Sequence, residues 1–310
     1  MGLARLIAAT VIAGCTVLVA FAASASAAVS FAPHADFGAS PNAYSVAIGD
    51  FNGDGNRDLA VAHYNSDNVS VLLNTATTGA LAPAFATEAD FAAGSHPTQV
   101  TVGDLNGDGK PDLAVTSCGS PCGGTGSGGV SVLLNTTAAG AATPSFATKV
   151  GFTAGTAPGS TAIDDLNGDG MPDLAVANQF SSVSVLLNTT AAGAATPSFS
   201  AHADFAGHTG PFSIAIGDLN GDSKPDLAVT NVSSADVSVL LNTTVVGAAV
   251  PTFATKTDFT VGAYPASIAI GDLNGDGEPD LATANFNSNN VSVLVNTTAT
   301  GAAASSFATK

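Results

Sequence analysis

Five times along 310 residues the chain repeats a nine-residue pattern, Asp-x-Asn-Gly-Asp-(Gly or Ser)-x-x-Asp, and each copy runs straight into an apolar stretch. The copies start at Asp50, Asp104, Asp165, Asp218 and Asp272, so the spacings are 54, 61, 53 and 54 residues. The long interval holds an insertion, "SCGSPCGGTGSGG" from Ser117, and without it the period is constant. A fixed period of this length marks a repeat architecture, in which one unit cannot bury its own faces and neighbours must cover them.

Each unit has the same internal order. A run such as "SIAIGDL" enters the acidic turn, "PDLATAN" leaves it, "VSVLVN" follows a polar loop, and an Ala/Gly/Thr-rich connection ends in "FATKTDF". These runs are short, alternate or cluster their apolar residues and are rich in Val, Ile and Phe. That pattern specifies strands, and no segment has helical periodicity to compete with it. Five units of four short strands predict an all-β fold, a β-propeller of five four-stranded blades. Small residues in the first strands (Ala47, Gly49, Ala215, Gly217, Ala269, Gly271) suit the innermost, crowded position. Two fragments stand outside the five units, "FAPHADF" ending at Phe37 and "FATK" starting at Phe307. Either supplies an outer strand to the last blade and closes the ring; the alternative is an open array completed by a second chain.

The start of the chain has its own character. Arg5, an apolar run from Leu6 to Ala23 and the small-residue end Ala25-Ser26-Ala27 predict a secretory signal peptide over 1–27, with the repeat region at 28–310. Lipidation at Cys15 is the alternative, from Ile12-Ala13-Gly14-Cys15, and a retained apolar anchor is another. The expectation is a secreted chain with no membrane span after cleavage. In that setting Cys118 and Cys122 are expected to form one small disulfide, with a metal or redox pair as the alternative.

Charge narrows the function. Against 24 Asp and Glu stand 7 Lys and Arg, a net charge of −17. No basic stripe exists to neutralise phosphates, which excludes a nucleic-acid partner and an anionic membrane surface. Sixteen of the 24 acids, fifteen Asp and Glu278, lie in the five turns. Each turn offers side-chain oxygens at places one, three, five and nine and a backbone carbonyl at place seven, with no imidazole or thiolate. Hard oxygen donors on a glycine turn suit Ca²⁺, with Mg²⁺ needing a stricter octahedron and Zn²⁺ or Cu²⁺ other ligands. Asn-Gly and Asp-Gly are also ordinary hairpin turns, but turn chemistry alone does not call for three Asp and one Asn at fixed places in five copies.

The unit resembles the FG-GAP, or VCBS, repeat of integrin α-chain propellers and many secreted bacterial proteins. Phe37-Gly38 is similar to the FG element, Gly155-Thr156-Ala157-Pro158 to the GAP element, and the acidic turn to that family's calcium loop. The resemblance implies calcium in the hairpin between the first and second strands of each blade. Its side-chain ligands would be Asp50, Asn52, Asp54 and Asp58; Asp104, Asn106, Asp108 and Asp112; Asp165, Asn167, Asp169 and Asp173; Asp218, Asn220, Asp222 and Asp226; Asp272, Asn274, Asp276 and Asp280. Carbonyls would come from Asn56, Lys110, Met171, Lys224 and Glu278. Up to five ions would bind, the Asp218–Asp226 site most weakly, because Ser223 replaces a glycine where a left-handed backbone is needed. Integrin propellers have more blades than five, so closure of the ring is the open point.

The face opposite the turns varies most between units. It carries Tyr64, Phe180 and Phe286 on loops between second and third strands, and His96, His208, Phe212 and Tyr264 on loops entering the first strands. Half-buried loop anchors are the plain reading of such aromatics; a surface for a protein or glycan ligand is the functional one. The expected role is an adhesion or ligand-binding module, not an enzyme. The alternatives are a structural surface component and a propeller-based lyase or hydrolase, for which His63, His96 and His208 are the histidines to consider; His34 and His202 occupy a solvated repeat position. The "NTT" triplets at Asn135, Asn188, Asn242 and Asn296 fit the glycosylation pattern, yet recur because the repeat does.

Overall fold

The computed structural model describes residues 10–12, 15–17, 34–122, 127–180, 182–207 and 209–308. The cleavage site at 25–27 and His208 lie outside the described residues. The chain forms two units, Met1–Asp36 and Phe37–Lys310. In the first, Thr10–Ile12 pairs antiparallel with Cys15–Val17, and the exposed His34 ring lies 3.7 Å from the Asp36 carboxylate. Among the described residues no helix is long and apolar enough to cross a membrane.

The second unit is built of antiparallel sheets that follow one another in chain order. Blade 1 comprises Ala43–Gly49, Asp58–His63, Asn68–Leu72 and Ala89–Ala92; blade 2 comprises Pro97–Gly103, Asp112–Ser117, Ser127–Leu133 and Val150–Thr156. Blade 3 comprises Pro158–Asp164, Asp173–Asn178, Ser182–Leu186 and Ala203–Ala206; blade 4 comprises Pro211–Gly217, Asp226–Asn231, Asp236–Leu240 and Thr257–Thr260. Blade 5 comprises Pro265–Gly271, Asp280–Asn285 and Asn290–Leu294. Each first strand lies beside the first strand of the next blade, which makes these the inner strands, as their small residues predict. The spacing is tight: a side chain at Gly103 would lie 3.2 Å from Ile163, and one at Gly217 the same distance from Ile270.

The core lies between blades. Phe51, Val69 and Val71 of blade 1 pack with Val100, Leu113 and Leu133 of blade 2, and the same arrangement joins blades 2 and 3, 3 and 4, and 4 and 5. Each such Val, Leu or Phe contributes about 1.5–3 kcal/mol when fully buried, so a blade gains most of its stability from its neighbours. Phenylalanines reinforce the outer seams: Phe91 meets Phe146 edge-on at 5.0 Å, Phe205 meets Phe253 at 4.9 Å and Phe259 meets Phe307 at 4.9 Å.

Two expectations are corrected here. Among the described residues blade 5 has three strands, not four. The "FATK" fragment is not an outer strand, because Phe307 forms a single bridge with Asn296, as Phe85, Phe146, Phe199 and Phe253 do with the equivalent Asn of their own blades. Among the described residues, blade 5 also does not cover the inner face of blade 1 as the other blades cover their neighbours. Val46 on blade 1 is 61% exposed, whereas its equivalents Val100, Thr161, Ile214 and Ile268 are 9% or less.

Candidate metal centre and the opposite loop face

All five acidic turns connect the first strand of a blade to its second, where the resemblance places them. The ninth-place Asp anchors each turn. In blade 2, Asp112 Oδ2 accepts the Leu105 N–H at 2.8 Å and Oδ1 accepts the Asn135 N–H at 2.7 Å. Asp58, Asp173, Asp226 and Asp280 make the same pair of bonds. Within the turn, Asp104 accepts N–H groups from Asp108 and Gly109, Asn106 Oδ1 accepts from Asp108, and Asp108 accepts from Lys110. The acceptors at places one, three, five and nine therefore all line one nine-residue loop. Asn56, Lys110, Met171, Lys224 and Glu278 take the seventh place, each donating its N–H to the fifth-place Asp.

Burial sets the charge balance of these loops. Desolvation pushes Asp112 and Asp226 up to about 6 and Asp173 up to about 7, and the other two carboxylates of each turn add to the effect. Asp58 shifts the same way for the same causes. Asp54 is lowered, chiefly by the Asn56 N–H, and Asp272 by the Gly275 N–H. Among the described residues no three His, Cys, Asp or Glu side chains converge as a finished metal cage. The donor set of each loop, three carboxylates, an amide oxygen and backbone carbonyls, nonetheless has the chemistry of a hard cation such as Ca²⁺ and not of a thiolate- or imidazole-loving metal.

The sixth place confirms its backbone requirement. Gly55, Gly109, Gly170 and Gly277 have φ of 83° to 91°, and Ser223 is held at 67°. The fourth turn keeps its shape, Ser223 donating its N–H to Asp218 at 2.8 Å, at the cost of a left-handed conformation that side chains disfavour.

The next blade covers each of the first four turns. The amide of Asn135 donates to the Phe51 carbonyl, Asn188 to Leu105, Asn242 to Leu166 and Asn296 to Leu219, at 2.8 to 2.9 Å. The N–H groups of Gly140, Gly193, Gly247 and Gly301 donate to the carbonyls of Asn52, Asn106, Asn167 and Asn220. In return Asn52 donates its side-chain amide to Ala141 at 3.1 Å, which leaves its Oδ1 facing the loop. Sequence reading missed this role of the "NTT" asparagines. Their signal was present in a fixed place at the end of every third strand. Burial of all four, with each amide bonded to two carbonyls, argues against their carrying glycans in the fold.

On the opposite face the aromatics gather in two groups. Tyr64 stacks on Tyr44 at 5.4 Å and lies 4.9 Å from the His96 ring; Tyr264 lies 6.0 Å from Phe212 and 5.8 Å from Phe286. Burial raises the Tyr44 hydroxyl, and Tyr64 and Tyr264 add to the shift, so the two groups are within electrostatic reach. Tyr44 was missed although its blade 4 equivalent, Phe212, was noted; the other equivalents, Thr98, Gly159 and Ala266, are not aromatic. Phe180 is exposed but outside both groups. His63 is not on this surface: it is fully buried, with Nε2 2.9 Å from Ser70 Oγ, and Ser70 in turn bonds Asp90. The trio is a repeat position, filled by Asn178, Ser184 and Asp204 in blade 3 and by Asn231, Ser238 and Asp258 in blade 4. His202 bonds Asp204 at 2.9 Å. Cys118 and Cys122 are disulfide-bonded, Cα atoms 5.1 Å apart, in the blade 2 loop on this same face.

The FG-GAP-like repeat model matches residues 50–115, 165–229 and 224–283, more than half of the chain. The chain belongs to the FG-GAP-like repeat family. Solved structures similar to this FG-GAP-like chain include the Vibrio cholerae biofilm matrix protein Bap1, at 14% identity and a TM-score of 0.41, covering 82% of this chain and 38% of Bap1. BBS1N in complex with ARL6DN is similar at 14% identity and a TM-score of 0.40, over 81% of this chain and 79% of that one. No curated protein sequence matches.

Proposed function

We propose that this is a secreted, calcium-stabilised FG-GAP propeller-like module whose loop face binds a protein or glycan ligand in adhesion. The observation that carries the calcium reading is the repetition of one loop: three carboxylates and an oriented amide oxygen on nine residues, five times over. Five Ca²⁺ would change the formal charge from −17 to −17 + 10 = −7. Because four of the loops are also the places where the next blade is clamped, an ion there would stiffen both the turn and the interface between blades. The two aromatic groups support the ligand reading, since aromatic clusters that keep exposed rings, here Tyr44 and Phe286, are what recognition surfaces use. The Ser70–His63–Asp90 trio supports a non-enzymatic role, being buried and held in other blades by Asn.

Equilibrium dialysis of the chelated protein against ⁴⁵Ca²⁺ tests the metal assignment. About four to five ions per chain are expected, with Mg²⁺ in equal excess displacing few of them; fewer than one ion per chain would refute it.

A further inference from the structure

Blade 2 departs from the repeat at the loop-face end of its outer strands. In blade 3 the second-strand Asn178 donates to the third-strand Ser184, and Ser184 donates to the fourth-strand Asp204 at 2.6 Å. Blade 4 repeats this with Asn231, Ser238 and Asp258. In blade 2 the strand register sets Ser117, Ser131 and Gly151 in those three places. A fourth polar place, held by Asn68, Ser182, Asp236 and Asn290 in the other blades, is Gly129.

The shortened side chains leave a cleft of about 500 Å³, lined by Ser117, Ser131 and Gly151 with Gly94, Gly128 and Gly129. Two of these glycines are required by close backbone approach: a Cβ at Gly128 would lie 2.4 Å from the Ser117 carbonyl oxygen, and one at Gly129 2.2 Å from that of Phe152. Gly151 is different. A Cβ there meets nothing within 4 Å and its backbone is not left-handed, so the fold does not call for glycine at 151. Gly151 lies at the exposed rim of the cleft. Ser117 is 4% exposed, and among the described residues its Oγ has no hydrogen-bond partner. A buried hydroxyl left unpaired costs about 1–3 kcal/mol, so this one calls for a partner from outside the blade.

A cation completes the set. Lys149 stands two residues before Gly151, on the same face of the chain. Its equivalents pair with the carboxylate that Gly151 lacks: Lys256 with Asp258, and His202 with Asp204 at 2.9 Å. In blade 4 one carboxylate takes the Ser238 hydroxyl on Oδ1 and the Lys256 ammonium on Oδ2. Blade 2 keeps both donors, as Ser131 and Lys149, and has glycine where the carboxylate would stand. It is also the blade with the inserted loop, which the Cys118–Cys122 disulfide pins beside the cleft and whose Ser120 joins the wall.

We propose that this cleft binds an aspartate side chain of a partner polypeptide. Its carboxylate accepts from Ser131 and pairs with Lys149, as Asp258 does with Ser238 and Lys256, and a further polar atom of the same segment reaches Ser117. Hydrogen bonds to an ionised acceptor are the strong ones. In blades 1, 3 and 4 the occupant of this place is itself an aspartate side chain, which assigns the ligand to a polypeptide. Gly151 belongs to the edge strand of its sheet, so the side chain enters from the open outer edge. None of the loop-face aromatics lines the cleft, and the proposal requires neither them nor calcium.

Titration calorimetry of the full chain with an acetyl-Gly-Asp-Gly-amide peptide, at constant Ca²⁺, tests it. Saturable binding is expected, about tenfold or more tighter than for the Gly-Asn-Gly peptide, the difference that one hydrogen bond to a charged group makes. Gly151→Asp rebuilds the aspartate of the other blades where there is room for it. This variant is expected to lose peptide binding while its melting temperature holds or rises. Lys149→Met and Ser131→Ala are each expected to weaken binding by about tenfold. Equal affinity for the Asp and Asn peptides would overturn the proposal, as would undiminished binding in the Gly151→Asp variant or no saturable binding to the parent chain. Tighter binding of galacturonate than of the Asp peptide would overturn the assignment to a polypeptide and make an acidic sugar the occupant.

Discussion

Asn188 reaches across the blade interface to Leu105: its side-chain amide donates to the Leu105 carbonyl at 2.9 Å while its own backbone N–H is held by Asp173. One residue thus ties the ninth-place carboxylate of blade 3 to the turn of blade 2. A buried carbonyl stripped of its donor loses the full desolvation cost, and Asn188→Ala strips two, at Leu105 and Pro172. The expected loss is on the order of 2–4 kcal/mol by denaturant titration. Asn74→Ala, which has no preceding turn to hold, should lose clearly less.

Ser223→Gly is expected to stabilise the chain. Ser223 sits at a φ of 67°, where a Cβ costs roughly 1–2 kcal/mol relative to glycine's freedom in the folded state, partly offset by the greater entropy glycine gives the unfolded chain. A net gain of about 1 kcal/mol, seen as a higher midpoint in urea, is the expected outcome, and the fourth turn should then bind Ca²⁺ as tightly as the second and third.

Folded protein should carry no glycan at Asn135, Asn188, Asn242 or Asn296, even from a glycosylating host. Each amide donates both to its own blade and to the preceding one, and a sugar on it would break the clamp. Peptide mass spectrometry across the four sites checks this.

The acidic turns were legible because the same residue type recurs at each place in all five copies: Asp58 and its four equivalents could be placed at the start of second strands from the pattern alone. The inter-blade core was legible only as strands, since Val69 looks the same whether it is buried by its own blade or by the next. Ring closure was not legible at all, because it depends on the step between blades, and a small error in that step accumulates over five. The "FATK" fragment misled for a related reason. Phe307 takes the bridge place of Phe85, six residues ahead of the outer-strand place that Phe91 holds, and the two places look alike when only the "F" of each is matched. His63 was taken for a loop residue since the strand ends on it; in the fold the adjoining strand sets Ser70 beside its ring, and Ser70 in turn bonds Asp90.

The central claim is that Ca²⁺ in the acidic turns holds the blades together, and scanning calorimetry with and without chelator tests it most directly. A site occupied at a hundredfold excess over its Kd adds about 2.7 kcal/mol. At about 2–4 °C per kcal/mol for a chain of this size, even two such sites raise the melting temperature by roughly 10 °C or more. A fall of at least that size on chelation, restored by Ca²⁺ and not by an equal excess of Mg²⁺, is the expected result. An unchanged melting temperature would contradict the claim and leave the five turns as hairpins that merely carry charge.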